Sequence, residues 1–228
     1  MTTVRLKAAD GFECPAYVAQ PKGKPKGAVV VIQEIFGVNP HIREVVDGYA
    51  SAGYFAIAPA MFHRAKHGVE LGYTPDDMQA GMTLKGAIEA LPDLAFMADV
   101  QAAVKYAHQT FGAKVGIVGY CWGGLLTWRA AALVEGLSAA VAYYGGGSTS
   151  SEEIARHPHC AVMAHFAKQD HWIGLDTVEA FTKAHPEVTV HLYEADHGFN
   201  CDHRGSYQKV SADLARERTL AFFEEYLA

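Results

Sequence analysis

Three side chains have the types that nucleophilic catalysis needs, and they occur in the order Cys121, Asp170, His197. A thiol can attack an acyl carbon. An imidazole takes its proton and later activates water, and a carboxylate holds that imidazole in its productive tautomer and stabilises the cation. Cys121 sits in Gly119-Tyr120-Cys121-Trp122-Gly123-Gly124. Residues 114–118 before it are apolar and β-branched, as in a buried parallel strand, and residues 125–134 after it contain no Pro or Gly and read as a helix. A nucleophile on such a sharp turn needs flanking glycines, because a Cβ there would collide with the neighbouring strand and helix. The helix N-terminus that follows favours a thiolate.

Each group also has a plainer reading. The hexamer fits a strand–turn–helix with a buried Cys. Asp170 fits a turn or a helix cap, and His197, one of twelve histidines, fits a packed or surface imidazole. Their order and shared placement argue for a site: Asp170 follows an apolar strand at 160–167, and His197 follows one at 188–193. Open α/β sheets gather ligands at the carboxyl ends of their strands, and nucleophile–acid–base is the chain order of the α/β-hydrolases. The oxyanion hole then falls to the backbone N–H of Trp122 and to one in the loop after the strand at 28–32, assigned to Ile35.

The elements that must position these groups alternate along the chain. A hairpin is expected over 2–7 and 12–19, then strands at 28–32, 54–58 and 137–144 besides those already named. Asn39-Pro40 opens a helix running to about 52, and Pro92 opens one to about 110. Further helices are expected over 175–184 and 207–227. Residues 62–91 are the least regular, with an Ala/Met-rich helical segment broken by Gly81 and Gly86, and they are a candidate wall of the site. No repeat or linker divides the chain. The expected architecture is a single domain over 1–228 with the α/β-hydrolase fold, a mainly parallel doubly wound sheet with helices on both faces.

Half of the 228 residues are hydrophobic, enough for a large core, and the formal net charge is −6. With no basic block, nucleic acid is not an expected partner, and with no apolar run near ~20 residues a membrane span is not expected either. The first residues lack the apolar core of a signal peptide, so a cytoplasmic location with four free thiols is expected. Gly145-Gly146-Gly147 has no Lys-Ser/Thr after it and is not a phosphate loop. His157, His159 and Cys160, or Cys201 and His203, do not form a regularly spaced ligand set, so no metal and no cofactor are expected. The expected partner is a small-molecule ester or lactone, acted on by a monomer or small homo-oligomer.

Gln33-Glu34-Ile35-Phe36-Gly37, the Cys121 hexamer, Gln169-Asp170-His171 and Asp196-His197-Gly198-Phe199 together resemble the dienelactone hydrolases, or carboxymethylenebutenolidases, in order and over almost the whole chain. The resemblance implies a lactone hydrolase. It also implies that Glu34 engages the resting Cys121 thiol, and that substrate shifts this contact so that a thiolate faces His197. Phe36, Tyr144, Phe199, Cys201 and Arg204 are the candidate substrate-pocket residues. One departure stands out. The family grips a substrate carboxylate with two arginines, one after the strand here ending at Pro59 and one four residues past the catalytic His. Here that second position is Cys201, and residues 65–92 contain no Arg. Arg204 or Lys85 could substitute, although each reads more simply as a surface charge. Two other activities fit the same residues: a broad carboxylesterase or thioesterase, and a thiol redox sensor with Cys201 resolving Cys121.

Overall fold

Parallel strands need cover on both faces, and the apolar runs of this chain receive it. The computed structural model describes residues 2–228. Its sheet has eight strands in the order β1-β2-β4-β3-β5-β6-β7-β8. β1 (Thr2–Lys7) and β2 (Glu13–Ala19) form the hairpin, and β2 pairs antiparallel with β4 (Phe55–Pro59). From there β3 (Ala28–Ile32), β5 (Val115–Tyr120), β6 (Leu137–Tyr143), β7 (Ala161–Ala167) and β8 (Thr189–Tyr193) continue in parallel. Every residue of β3, β4 and β5 is buried, as central strands between two helical layers must be.

The helices are α1 (Pro40–Ser51), α2 (Pro75–Glu89), α3 (Met97–Phe111), α4 (Trp122–Leu133), the single turn α5 (Ser151–Ile154), α6 (Leu175–Ala184) and α7 (Lys209–Leu227). α1 and α7 share one face, with Tyr49 and Phe223 in edge contact at 6.0 Å. α3, α4 and α6 cover the other, where Trp128 of α4 meets Phe181 of α6 at 4.9 Å. α1 starts as its sequence predicts: Pro40 stands in the first turn and the Asn39 side chain accepts from Ile42 N at 3.2 Å.

Two local expectations change. Pro92 opens a 3-10 turn (Pro92–Leu94) instead of a long helix, because Leu94 lies at φ 52° with its side chain against the core, and α3 begins at Met97. α2 runs unbroken through Gly81. That glycine serves a close approach, since a Cβ there would lie 2.2 Å from the Ile35 carbonyl oxygen. The helix thereby packs onto the loop over 33–37. All four cysteines are free, and no helix among the described residues is long and apolar enough to cross a membrane.

Candidate active site

β5 ends at Tyr120, α4 begins at Trp122, and Cys121 between them has φ 58° and ψ −118°, a backbone state that L residues rarely hold. The turn is locked from both sides. Cys121 N donates to the Tyr143 carbonyl at 3.0 Å, while Gly124 N donates to the Cys121 carbonyl at 2.9 Å. A Cβ on Gly119 would come within 2.0 Å of the Gly123 oxygen. One on Gly123 would lie 2.5 Å from the Ile32 and Gln33 oxygens, and one on Gly124 2.6 Å from the Tyr143 oxygen. The glycines are required because strand, helix and the 33–37 loop meet here with no room for a side chain.

Asp170 and His197 lie on loops after β7 and β8, and those loops prolong the strand pairing. Lys168 N donates to the Tyr193 carbonyl at 2.9 Å, and Gln169 N to that of Ala195 at 3.0 Å. Held side by side in this way, His197 Nδ1 meets Asp170 Oδ2 at 2.7 Å with both side chains buried. The other carboxylate oxygen, Oδ1, accepts from Trp172 N at 2.9 Å. The ring of Tyr144 packs edge-on against His197 at 5.2 Å. Burial works against a charged His197 imidazole, but the Cys121 sulfur and the Asp170 carboxylate outweigh it and push the pKa up to about 10.

Cys121 and His197 line one cavity of about 260 Å³, together with Ile35, Phe36, Trp122 and Arg204. The N–H groups of Ile35 and Trp122 have no hydrogen-bond acceptor among the described residues, so two backbone donors at this cavity are free. The Trp122 ring stacks on Phe62 at 5.2 Å, and its Nε1 donates to Glu89 of α2 at 3.1 Å.

Glu34 is buried, and its Oε1 accepts from Arg204 at 2.9 Å rather than from the Cys121 thiol; its Oε2 has no partner among the described residues. Arg204 is therefore no surface charge, and Lys85, partly exposed and 3.8 Å from Glu89, also borders the cavity. Gly198, at φ 81°, makes room for this guanidinium, because a Cβ there would lie 2.5 Å from it. Of the five pocket candidates, Phe36 and Arg204 line the cavity. Tyr144, Phe199 and Cys201 are buried and stand outside its lining. Cys201 is no accessible resolving thiol, and burial, then the nearby Glu34 charge, push its pKa up to about 12.

The candidate wall over 62–91 supplies Met78 and Met82 of α2 to the cavity, while Trp172 and the backbone of Gly146 and Gly147, which also line it, were not singled out. The Ala/Met-rich character of α2 was a signal for an adaptable apolar wall. Trp172, 63% exposed, had none except its nearness to Asp170.

The model of the dienelactone hydrolase family matches residues 14–227. A carboxymethylenebutenolidase from Pseudomonas putida is 34% identical over 226 residues, covering 96% of this chain and 94% of that protein. A crystal structure of a Klebsiella pneumoniae protein, provisionally assigned as a dienelactone hydrolase, superposes with a TM-score of 0.84 at 32% identity over 99% of each chain. A dienelactone hydrolase-like promiscuous phosphotriesterase from metagenomic libraries shares the fold, with a TM-score of 0.82 at 21% identity over 100% of this chain and 99% of its own.

Proposed function

The chain belongs to the dienelactone hydrolase family, and on that premise we propose that it opens lactones and activated esters through Cys121, His197 and Asp170. The coarse activity, hydrolysis of a carboxylic ester or lactone in a small molecule, follows from the family. The reading of the triad is carried by one observation: a 2.7 Å Asp170–His197 pair borders the same cavity as a cysteine on a strained turn.

In this reading the Cys121 sulfur bonds to the acyl carbon while its proton passes to His197. The tetrahedral oxyanion is held by the free N–H groups of Ile35 and Trp122. The carbon–oxygen bond to the leaving group then breaks, His197 returns the proton to that oxygen, and an acyl-thioester remains on Cys121. Water, deprotonated by His197, attacks the thioester and releases the acid with the thiol restored. Asp170 keeps Nδ1 protonated and leaves Nε2 for these transfers. Glu34 takes the role that family likeness implies, holding the resting thiol. Lys85 and Arg204 give the cavity two cations, which suits a substrate bearing a carboxylate beside the scissile bond.

A thiolate leaves a tetrahedral intermediate more readily than an ordinary alkoxide does. The enzyme should therefore favour leaving groups that depart as stabilised anions, such as the enolate of an enol lactone, over plain alkoxides. An enol acetate is expected to turn over at least about a hundredfold faster than ethyl acetate, since each tenfold is worth ~1.4 kcal/mol of barrier. Equal rates would overturn the substrate class. Cys121→Ala is expected to abolish turnover, with no acyl-enzyme in the mass spectrum. A variant retaining wild-type rate would overturn the nucleophile.

A further inference from the structure

Behind the cavity, buried polar atoms without partners collect at one place. Among the described residues six buried side-chain N or O atoms lack a hydrogen-bond partner, and three of them are Glu34 Oε2, His41 Nε2 and the Tyr144 hydroxyl. Glu34 Oε2 and His41 Nε2 belong to residues 1% and 3% exposed, and the fully buried Cys201 thiol lies with them. One ligand atom from each of Glu34, His41 and Cys201 falls within 4.8 Å of the others. Tyr144 is close enough for the charges of Glu34 and Cys201 to act on its hydroxyl. An unsatisfied buried polar atom is costly, so such a concentration marks a place where a polar or charged species can bind.

We propose that Glu34 Oε2, His41 Nε2 and Cys201 Sγ form a buried site for a borderline-soft divalent cation of the zinc type. The donor set is the argument. Sulfur and imidazole nitrogen with one carboxylate oxygen suit zinc and disfavour magnesium or calcium, which take oxygen ligands. His41 is oriented for the task, because Asp202 Oδ1 lies 3.3 Å from its Nδ1. That contact leaves Nε2 as the lone-pair nitrogen, the carboxylate–histidine arrangement found behind metal ligands. Tetrahedral zinc with bonds of about 2.0–2.3 Å holds its ligands about 3.3–3.8 Å apart, so side-chain shifts of about 1 Å close the site.

Binding releases one proton, from the Cys201 thiol to solvent, as the sulfur–metal bond forms. Thiolate and carboxylate supply two negative charges to the dication, Arg204 retains Glu34 Oε1, and the Asp202 carboxylate behind His41 faces the remaining positive charge. The ligands come from the loop over 33–37, the first turn of α1 and the loop after His197. A cation would therefore tie together three segments that border the candidate active site. The proposal departs from the expectation of no metal, which rested on regular spacing. The proposal does not depend on which residue is the nucleophile.

The test is cobalt titration of the chelator-stripped full chain, followed by its absorption spectrum, with zinc stoichiometry by elemental analysis. One equivalent of zinc and a cobalt–thiolate charge-transfer band are expected. The band should be lost in Cys201→Ser and kept in Cys121→Ala, and Asp202→Asn should weaken binding by about 10- to 100-fold. Cys201→Ser is nearly isosteric, and circular dichroism confirms that each variant folds. The absence of a band would overturn the proposal. So would a band that survives Cys201→Ser but vanishes in Cys121→Ala, which assigns the metal to the active-site thiol. Binding without a band points to the outer group of His41, Glu44, Asp202 and His203, and would overturn it as well.

Discussion

Two imidazoles near the carboxyl ends of β7 and β8, both buried, are pushed toward opposite charge states. His165, inside β7, places Nδ1 2.8 Å from the Tyr193 hydroxyl and Nε2 3.0 Å from that of Thr219. Its hydrogen-bond partners carry no charge to hold a proton on it, and burial, reinforced by the nearby His191 and Arg218, drives its pKa well below the ordinary value. Burial opposes charge on His197 in the same way, yet the Cys121 sulfur and the Asp170 carboxylate reverse the outcome. Depth does not distinguish the two; the chemistry of the neighbours does. His165 joins Tyr143, Tyr193 and Thr219 in a hydrogen-bonded layer between β6, β8 and α7. His197, one strand-end away, faces a cavity.

The contrast can be broken most severely at Asp170. Asp170→Asn removes the charge that separates the two histidines and presents the wrong hydrogen-bonding partner to Nδ1. We expect kcat/KM for an enol ester to fall by about a thousandfold or more. The pH–rate profile sharpens the same point. With a folded pKa of about 10, wild-type His197 keeps a proton once it has received one from Cys121. No loss of activity is then expected as pH rises through 6.5, and kcat/KM should fall as pH rises through about 10. In Asp170→Asn this alkaline limb should move to lower pH. A wild-type limb near 6.5 would place His197 in the same class as His165.

The smallest effect concerns stability, where the two groups have opposite signs. His197, raised on folding, contributes stability that is fully present below the unfolded value of 6.5 and is lost as pH rises through about 10. His165, lowered on folding, behaves in reverse. Below 6.5 the unfolded chain gains a proton that the native state refuses, so stability falls with pH by up to roughly 1.4 kcal/mol per unit. His165→Gln is expected to flatten the dependence of the urea midpoint between pH 6.5 and 5. A slope unchanged from wild type would refute the neutral assignment.

Much of this was legible in the chain itself. Uninterrupted apolar runs such as Val29-Val30-Val31-Ile32 demand cover on both faces, and Asn39-Pro40 starts a helix wherever it stands. Gly119, Gly123 and Gly124 announce a turn in which three backbones nearly touch. These are properties of local sequence, because backbone sterics and the hydrophobic period act over a few residues. The nucleophile–acid–base order and the family resemblance were equally open to reading.

Other features exist only once the chain is packed. Arg204 and Lys85 read as surface charges, because nothing in their local sequence shows that one meets Glu34, 170 positions away, or that both border the cavity. Gly81 looked like a helix breaker until Ile35 came to lie against it. Glu34, His41 and Cys201 lie on three segments with no spacing signature, and their side chains converge only in the folded molecule. A sequence specifies its turns and buried faces through near neighbours. Which charged and nucleophilic groups share one dry space is decided by distant segments meeting, and only tertiary packing determines that.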